Sequence, residues 1–121
     1  MSTILVVENS VSQQERIKDL LEESGLKVAI ASDGAEALQM LEYRLPDLVL
    51  LDIVMPKVNG YEVCRRIKAN SATHSLPVVL CSAKGEEFDR YWGMKQGADA
   101  YIAKPFQPAE LIGTIQQLLQ S

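Results

Sequence analysis

Short hydrophobic runs alternate along the chain with stretches in which apolar residues recur every three or four positions. A run such as Leu48–Leu51, apolar at every position, predicts a strand that is buried on both faces, as in a parallel sheet. The stretches between the runs predict amphipathic helices. This alternation favours an α/β doubly wound fold with helices on both faces of the sheet. The predicted strands are Thr3–Val7, Leu26–Ala31, Leu48–Asp52, Pro77–Cys81 and a run from Ala100 that ends at Lys104.

Helices are predicted between these strands and after the last one. The segment Ser12-Gln13-Gln14-Glu15 has the pattern of a capping box, and Gly25 is expected to close the first helix. Pro108 is expected in the first turn of the last helix. The other predicted helices span Ala35–Tyr43, Tyr61–Ala69 and Gly85–Gln96, the last stopped by Gly97. The apolar positions expected to face the core are Ile17, Leu20, Leu21, Ala37, Leu38, Leu41, Val63, Ile67, Leu111, Ile115, Leu118 and Leu119.

Polar side chains stand at the ends of four of the predicted strands. Glu8-Asn9 follows the first strand, Asp52 ends the third, Ser82 follows the fourth and Lys104 ends the fifth. In an open parallel sheet, ligands collect beyond the carboxyl ends of the strands, where the strand order reverses, so we expect these groups to meet at one edge. An ionised aspartate beside such a core requires partners, and the other groups are suited to be those partners.

This set of groups is suited to phosphoryl chemistry. A carboxylate such as that of Asp52 can attack phosphorus and become an acyl phosphate. Because the transferred group is strongly anionic, transfer requires positive charge nearby, which Lys104 would supply. Ser82 can donate a hydrogen bond to a phosphoryl oxygen. Mg2+ takes hard oxygen ligands, and Glu8, Asp52 and the backbone carbonyl of Val54 would provide them.

Composition narrows the function classes. The chain has 121 residues and a net charge of −4, which predicts one domain over residues 1–121 and argues against direct nucleic-acid binding. No apolar run approaches membrane-spanning length, so no membrane insertion is expected, and the N-terminus lacks a basic-then-apolar signal segment. The two cysteines, Cys64 and Cys81, are too far apart for a metal-pair motif and are expected to stay reduced and buried in a cytoplasmic protein.

In this order and spacing, the polar residues and their neighbours resemble the receiver domain of two-component response regulators over nearly the whole chain. The resemblance implies a flavodoxin-like three-layer sandwich whose parallel sheet has the strand order 2-1-3-4-5. The residues that carry the resemblance are Glu8, Asp52, Met55-Pro56, Gly60, Ser82-Ala83, Tyr101 and Lys104-Pro105.

The resemblance also implies roles for single residues. Asp52 would accept a phosphoryl group from the phosphohistidine of a histidine kinase or phosphotransfer protein, with Mg2+ required, and the chain would not be an enzyme in its own right. Lys104 would pair with the phosphoryl group and Ser82 would bind it. Tyr101 would be the switch aromatic whose inward or outward rotamer reports phosphorylation. The Lys104-Pro105 bond is usually cis in this family.

One position departs from the family pattern. The family normally has two acids after the first strand, the second being the direct metal ligand, whereas this chain has Asn9 there. Because a neutral amide oxygen removes one negative charge, we expect weakened Mg2+ binding but surviving phosphorylation. The resemblance implies that Val54 and Lys84 occupy the positions that tune the lifetime of the acyl phosphate in receivers. Since Val54 cannot hold an attacking water by a hydrogen bond, slow self-dephosphorylation is expected.

The predicted fourth helix carries a narrower resemblance. Its Trp92-Gly93-x-x-Gln96-Gly97-Ala98 pattern is similar to standalone receivers of type IV pilus, chemotaxis-like motility systems, which would imply a diffusible motility regulator. Phosphorylation would bias the fourth helix, the fifth strand and the last helix, so a downstream protein target is expected on the face formed by Gly85–Ser121. An exposed Trp92 there would be a natural partner contact.

Other interpretations stay open at this point. In a phosphate-independent pseudo-receiver, Lys104 would be only a structural partner of Asp52, and the chain would be a constitutive interaction module. Tyr101 fits an ordinary half-buried strand aromatic as well as a switch. A flavodoxin would need a hydroxyl- and glycine-rich phosphate loop after the first strand. A dehalogenase-type phosphatase would need its nucleophilic aspartate at the end of the first strand. Glu8-Asn9 fits neither of these.

Overall fold

The computed structural model describes residues 1–83 and 87–120, apart from the side chain of Phe88. Within these residues, strands and helices alternate along the chain. The strands are β1 (Thr3–Val7), β2 (Lys27–Ala31), β3 (Leu48–Asp52), β4 (Val78–Ser82) and β5 (Ala100–Ala103). The helices are α1 (Val11–Glu23), α2 (Gly34–Tyr43), α3 (Gly60–Ala69), α4 (Glu87–Lys95) and α5 (Pro108–Leu119).

The strands form one parallel sheet in the order β2-β1-β3-β4-β5, which confirms the predicted fold class and strand order. In the register of this sheet, Val7 of β1 lies opposite both Ala31 of β2 and Leu51 of β3. The order reverses between β1 and β3. The carboxyl ends of these two strands therefore border the crevice where ligands bind in folds of this kind.

Both faces of the sheet are covered by helices, because alternate side chains of each strand are apolar on either face. Leu5, Val49 and Leu51 pack on one face against residues of α2 and α3, including Ala37 and Ile67. The opposite face is packed by residues of α1 and α5. That cluster contains Ile4, Val6, Leu50, Ile17, Leu21, Leu111 and Ile115. The two layers fix the strand ends, and the strand ends carry the polar groups.

The start of α1 differs from the prediction. Ser10, not Ser12, is the N-cap residue, and its Oγ accepts a hydrogen bond from the backbone N–H of Gln13 at 3.4 Å. The backbone N–H of Ser10 is itself held by Glu8, donating to Oε2 at 2.9 Å. Because Glu8 fixes Ser10 in the capping position, Ser12 lies inside the helix and the capping-box prediction is wrong.

Several other bounds differ from the predictions. β2 begins at Lys27 instead of Leu26, and β4 runs from Val78 to Ser82 instead of from Pro77 to Cys81. α2 and α3 begin one residue early, since Asp33 and Asn59 cap them by accepting hydrogen bonds from the N–H groups of Glu36 and Glu62. Pro108 does occupy the first turn of α5. The predicted start of the fourth helix at Gly85, the lifetime residue Lys84 and the terminal Ser121 lie outside the described residues.

The predicted core is largely confirmed. Most of the apolar helix positions expected to face inward are buried, as are Cys64 and Cys81, which are free thiols. Burial raises the pKa of Cys64 to about 11 and that of Cys81 to about 12. Four leucines expected in the core lie at its margin and are only partly buried: Leu20, Leu38, Leu118 and Leu119. Within residues 1–83 and 87–120, no helix has the length and apolar character needed to cross a bilayer.

Candidate functional site

Backbone hydrogen bonds extend the sheet just past the strand ends and hold the polar residues in place. The N–H of Glu8 donates to the carbonyl of Ala31 at 3.0 Å, and the N–H of Lys104 donates to the carbonyl of Ser82 at 2.8 Å. Asp52 lies opposite Cys81, the residue before Ser82, in the β3–β4 register. The predicted meeting of these groups at one edge of the sheet is therefore present in the structure.

Lys104 is the centre of the charged cluster. Its Nζ donates a hydrogen bond to Oε1 of Glu8 at 2.6 Å and lies 3.7 Å from Oδ1 of Asp52. The side chains of Lys104, Glu8 and Asp52 keep only 17%, 4% and 11% of their surface exposed. Two carboxylates thus share one ammonium group in a site that is largely closed to water, which strengthens their interaction with any further charge.

The Asp52 carboxyl is tuned by opposing influences. Burial raises its pKa above the ordinary value, the Lys104 ammonium lowers it, and the neighbouring Glu8 carboxylate raises it again. Backbone hydrogen bonds from Val54 and Ile53 also lower the pKa, but the net direction is upward. The pKa of Lys104 is raised. Burial alone would lower it, but the hydrogen bond with Glu8 and the charges of Asp52 and Glu8 outweigh that effect.

Ser82 and Tyr101 form the hydroxyl part of the site. Ser82 is fully buried, and its hydroxyl acts to lower the pKa of the Tyr101 phenol, against the larger effect of burial. Tyr101 keeps only 4% of its surface exposed, so its ring lies inward. Burial raises the pKa of Tyr101 to about 12. The ring is buried instead of half-buried, and the role of Tyr101 as a switch stays a prediction.

The oxygen groups expected to hold a metal are present but unequally placed. Asp52 is part of the cluster, with Oδ1 3.7 Å from Nζ of Lys104. Asn9 is exposed beside Glu8. Both carboxylate oxygens of Glu8 are engaged, Oε1 by Lys104 and Oε2 by the backbone N–H of Ser10. In the described part of the chain, no three His, Cys, Asp or Glu side chains are grouped closely enough to hold a metal.

This donor set fits a hydrated Mg2+ ion but not a closed protein cage. Carboxylate, amide and carbonyl oxygens are its preferred ligands, and it usually keeps several waters and uses one or two carboxylates. By chemical type, the Asp52 carboxylate, the Asn9 amide and the Val54 carbonyl would meet that requirement. Glu8 would add a ligand only by exchanging one of its present hydrogen bonds or by acting through water.

Three residues support the site in ways that the sequence did not indicate, although Gly60 is among the residues that carry the family resemblance. Gly60 packs so closely against β3 that a Cβ there would lie 2.4 Å from the carbonyl oxygen of Asp52. Gln14 is buried, and its Nε2 donates to the carbonyl of Glu8 at 2.6 Å. A signal existed for Gln14, because it shares the helical spacing of Ile17 and Leu21, and a polar residue on a buried face usually has a partner. Nη1 of Arg90 donates a hydrogen bond to the backbone carbonyl of Tyr101 at 3.0 Å.

Comparison with known proteins relates this site to a family. The model of the response regulator receiver domain matches residues 4–116. Protein PilH of Pseudomonas aeruginosa is 34% identical over 119 residues, which cover 98% of this chain and 98% of that protein. The transcriptional regulatory protein CpxR of Escherichia coli (strain K12) is 41% identical over 120 residues, 99% of this chain and 50% of that protein. The chain thus spans about half the length of CpxR, and also of the regulator PhoP from Bacillus subtilis.

Solved structures agree with this relationship. A protein from Chloroflexus aurantiacus J-10-fl described as a response regulator has a TM-score of 0.96 and 32% identity, covering 99% of this chain and 98% of that one. The receiver domain of the sensor histidine kinase PA1611 from Pseudomonas aeruginosa, solved with a magnesium ion in its active site cleft, has a TM-score of 0.92 and 31% identity, with 99% and 98% coverage. The chain therefore belongs to the response regulator receiver domain family of two-component signalling.

Proposed function

We propose that the chain is a phosphorylation switch in which Asp52 accepts the phosphoryl group. The donor is a phosphohistidine of a histidine kinase or phosphotransfer protein. A carboxylate oxygen of Asp52 attacks phosphorus, the new O–P bond forms as the P–N bond breaks, and the leaving imidazole keeps the bonding electron pair. The product is an acyl phosphate on Asp52.

The residues around Asp52 have distinct parts in this proposal. Lys104, now 2.6 Å from Glu8 and 3.7 Å from Asp52, turns toward the phosphoryl oxygens as negative charge arrives. Ser82 donates its hydroxyl hydrogen to one of these oxygens. Asp52, Asn9 and the Val54 carbonyl would hold Mg2+, which would supply positive charge to neutralise the phosphoryl group. With Asn9 in place of an acid, this Mg2+ would be held more weakly than by two acids.

The observation that carries the proposal is the position of the Lys104 ammonium between two buried carboxylates. A single lysine facing Glu8 and Asp52 leaves the cluster with one net negative charge, which a cation would balance. Once a phosphoryl group joins Asp52, the same lysine becomes its counter-ion. The magnesium-containing PA1611 receiver domain supports a metal at the equivalent edge of the fold.

Acetyl phosphate tests the proposal without a kinase. The chain is incubated with acetyl phosphate and Mg2+, and the intact mass is followed over time. We expect the mass of one added phosphoryl group, none with Asp52→Asn and none after Mg2+ is removed with a chelator. Asp33→Asn is the matched control, because it makes the same acid-to-amide change at the cap of α2, where Asn caps as well as Asp. No adduct on the unsubstituted chain at any Mg2+ concentration would contradict the proposal.

A second candidate function is a phosphate-independent interaction module. It is favoured by Asn9 and by the full engagement of the Glu8 carboxylate, which together leave Asp52 as the acid of this cluster that is available to a metal. Titration with Mg2+ separates the two functions, with Trp92 fluorescence as the signal. Trp92 is 47% exposed on α4 and responds to its surroundings. A saturable millimolar response favours the switch, and a flat titration favours the module.

The output of the switch is proposed to be contact with a downstream protein through α4, β5 and α5. Tyr91, Trp92 and Met94 expose apolar surface on α4, which is suited to a partner. The similarity to PilH over nearly the full length of both proteins accords with the helix pattern that indicated a motility regulator.

A cytoplasmic location and slow self-dephosphorylation belong to the same proposal. Self-dephosphorylation is slow because the Val54 side chain, 59% exposed, is apolar and cannot hold an attacking water by a hydrogen bond.

A further inference from the structure

β2 forms one edge of the sheet, and its outer side is open. Within a strand, the N–H and C=O of one residue point to the same side, and successive residues alternate between the two sides. The N–H of Lys27 donates, at 2.9 Å, and the carbonyl of Ala31 accepts, at 3.0 Å, on the side of β1. Val28 and Ile30 therefore direct their backbone groups outward. In the described part of the chain, no hydrogen bond reaches these outward groups.

This edge lacks the features that usually prevent pairing with another strand. Edge strands are commonly protected by proline or by charged side chains along the strand. β2 contains no proline, and its one charged residue, Lys27, stands at its start. The three apolar residues that follow are only partly buried. The edge therefore exposes apolar side chains as well as backbone groups.

One flank of α2 lies beside the same edge. Met40 and Arg44 line a cavity of about 270 Å³ together with Ala29 of β2. Glu36 is fixed on this flank because its Oε1 accepts a hydrogen bond, at 2.9 Å, from the N–H of Ser32, the residue after β2. Since residues four apart are neighbours on a helix surface, Glu36, Met40 and Arg44 form one row along α2 and its C-cap.

Charge is distributed in the same direction along the strand and along this row. Arg44 lines its cavity with Thr3, which lies opposite Lys27 in the β1–β2 register, so both basic residues are at the amino end of β2. Asp33 and Glu36 follow the carboxyl end of β2. An antiparallel second copy would bring each basic end against an acidic end, whereas a parallel copy would bring like charges together.

A twofold axis beside Ala29 satisfies both the strand and the helix. It places Val28 opposite Ile30 of the second copy, and in an antiparallel pair two such residues exchange both of their backbone hydrogen bonds. Because Met40 lines the same cavity as Ala29, the axis also passes near Met40. It thereby places Glu36 opposite Arg44 of the second copy. One axis thus meets the hydrogen-bonding and the charge requirements together.

We propose that the open edge of β2 and the row Glu36, Met40 and Arg44 form the interface of a symmetric homodimer. The two sheets join edge to edge in antiparallel orientation, and each surface is its own complement. Tyr43 is 81% exposed next to the row and adds aromatic contact between the two copies of α2. The interface contains neither the charged cluster nor α4, and it does not rest on the proposed function.

Sedimentation equilibrium of the full chain, at concentrations up to about 1 mM, measures the dissociation constant of the dimer. Arg44→Glu places two acids together at both ends of the interface and is expected to weaken the dimer at least tenfold, as is Glu36→Arg, which places two bases together. The double variant Glu36→Arg/Arg44→Glu restores opposite charges and is expected to return to within about threefold of the parent chain. Because the single reversals change the net charge in opposite directions, a general charge effect cannot weaken both.

Two further variants separate the strand from the helix. Val28→Pro removes an outward N–H and leaves the bonds to β1 in place, so it is expected to abolish the dimer, while circular dichroism reports whether the chain stays folded. Glu42→Lys is the matched control, because Glu42 lies on the opposite flank of α2, beside Arg66 and Ile67 of α3. This control is expected to leave the dissociation constant unchanged.

The outcomes separate this interface from other ways of associating. A chain that stays monomeric at about 1 mM would overturn the proposal. A dimer left intact by both Arg44→Glu and Glu36→Arg would overturn it as well, since the copies would then meet through another face such as α4. The same holds for double reversal without rescue, or for weakening by Glu42→Lys equal to that by Arg44→Glu. None of these results depends on phosphorylation of Asp52, so failure of the proposed function would leave the test intact.

Discussion

Replacement of Gly60 by alanine tests whether α3 must lie directly against the end of β3. The Cβ of an alanine there would lie 2.4 Å from the Asp52 carbonyl oxygen, 2.7 Å from the Ile53 Cα and 3.0 Å from the Asp52 carbonyl carbon. All three are backbone atoms, which cannot rotate away as a side chain could. The Gly60 N–H also donates to the carbonyl of Ile53 at 2.8 Å, so the first turn of α3 is tied to the same segment.

The expected cost follows from these contacts. Ordinary van der Waals separation begins near 3.4 Å, so the start of α3 must move by about 1 Å or the strand end must give way. Overpacking of this kind costs about 1–3 kcal/mol, and rigid backbone contacts place Gly60→Ala at the upper end. Alanine regains up to about 1 kcal/mol of helix propensity. We therefore expect a net loss of about 2 kcal/mol in the free energy of unfolding.

Urea unfolding followed by far-UV circular dichroism measures the effect. Gly113→Ala is the matched control, because Gly113 lies inside α5 and a Cβ there would meet no atom within 4 Å. The control is expected to gain about 0.5–1 kcal/mol in the free energy of unfolding. The same substitution should therefore stabilise the protein at Gly113 and destabilise it at Gly60. Since movement at Gly60 displaces Asp52, Gly60→Ala should also slow labelling by acetyl phosphate. A Gly60→Ala protein as stable as the parent chain would refute the reasoning.

Further predictions concern the charged cluster. Because burial raises the pKa of the Asp52 carboxyl in the folded state, its ionised form opposes folding, and Asp52→Asn should be more stable than the parent chain at neutral pH. Urea unfolding at several pH values measures this gain in the free energy of unfolding. The gain should shrink as the pH falls through the raised pKa of folded Asp52 toward its ordinary value of 3.8. A gain that grew on acidification would contradict the prediction. Lys104→Met leaves Glu8 and Asp52 without their cation, so it should lose about 3 kcal/mol of stability at neutral pH, and a stability equal to that of the parent chain would count against the pairing. Asn9→Asp restores an acid beside the cluster and should tighten Mg2+ binding about tenfold in the Trp92 titration, whereas an unchanged midpoint would show that Asn9 is not a ligand.

The strand ends were predictable from the sequence because parallel strands bring their carboxyl ends to one edge. Once the apolar runs were recognised, Glu8, Asp52, Ser82 and Lys104 had to be neighbours, whatever the details of the helices. The partner that Lys104 prefers was not predictable in the same way. The sequence indicated Asp52, but the longer glutamate reaches the ammonium more closely, at 2.6 Å.

Helix starts and interhelical contacts depend on tertiary hydrogen bonds that a local pattern does not contain. Ser12 fits a capping box by spacing, but Ser10 is the cap because the carboxylate of Glu8 fixes its backbone. Arg90 lies in a stretch whose sequence pattern indicates a family, and nothing local indicates that its guanidinium contacts Tyr101, eleven residues away on β5. Such contacts arise when α4 docks on the sheet. The sequence pattern predicts that α4 has an amphipathic face but not which side chains that face contacts.

Asp52, which faces Lys104, is proposed to carry the phosphoryl group. The most direct test of this proposal is chemical trapping after incubation with acetyl phosphate and Mg2+. Borohydride reduces an acyl phosphate of aspartate to homoserine, so peptide mass spectrometry identifies the modified residue after the phosphate itself is gone. The expected result is homoserine at position 52 when Mg2+ is present, and aspartate at that position when Mg2+ is chelated. Aspartate unchanged at position 52 in a protein that has taken up phosphate, or homoserine at another aspartate, would contradict the assignment.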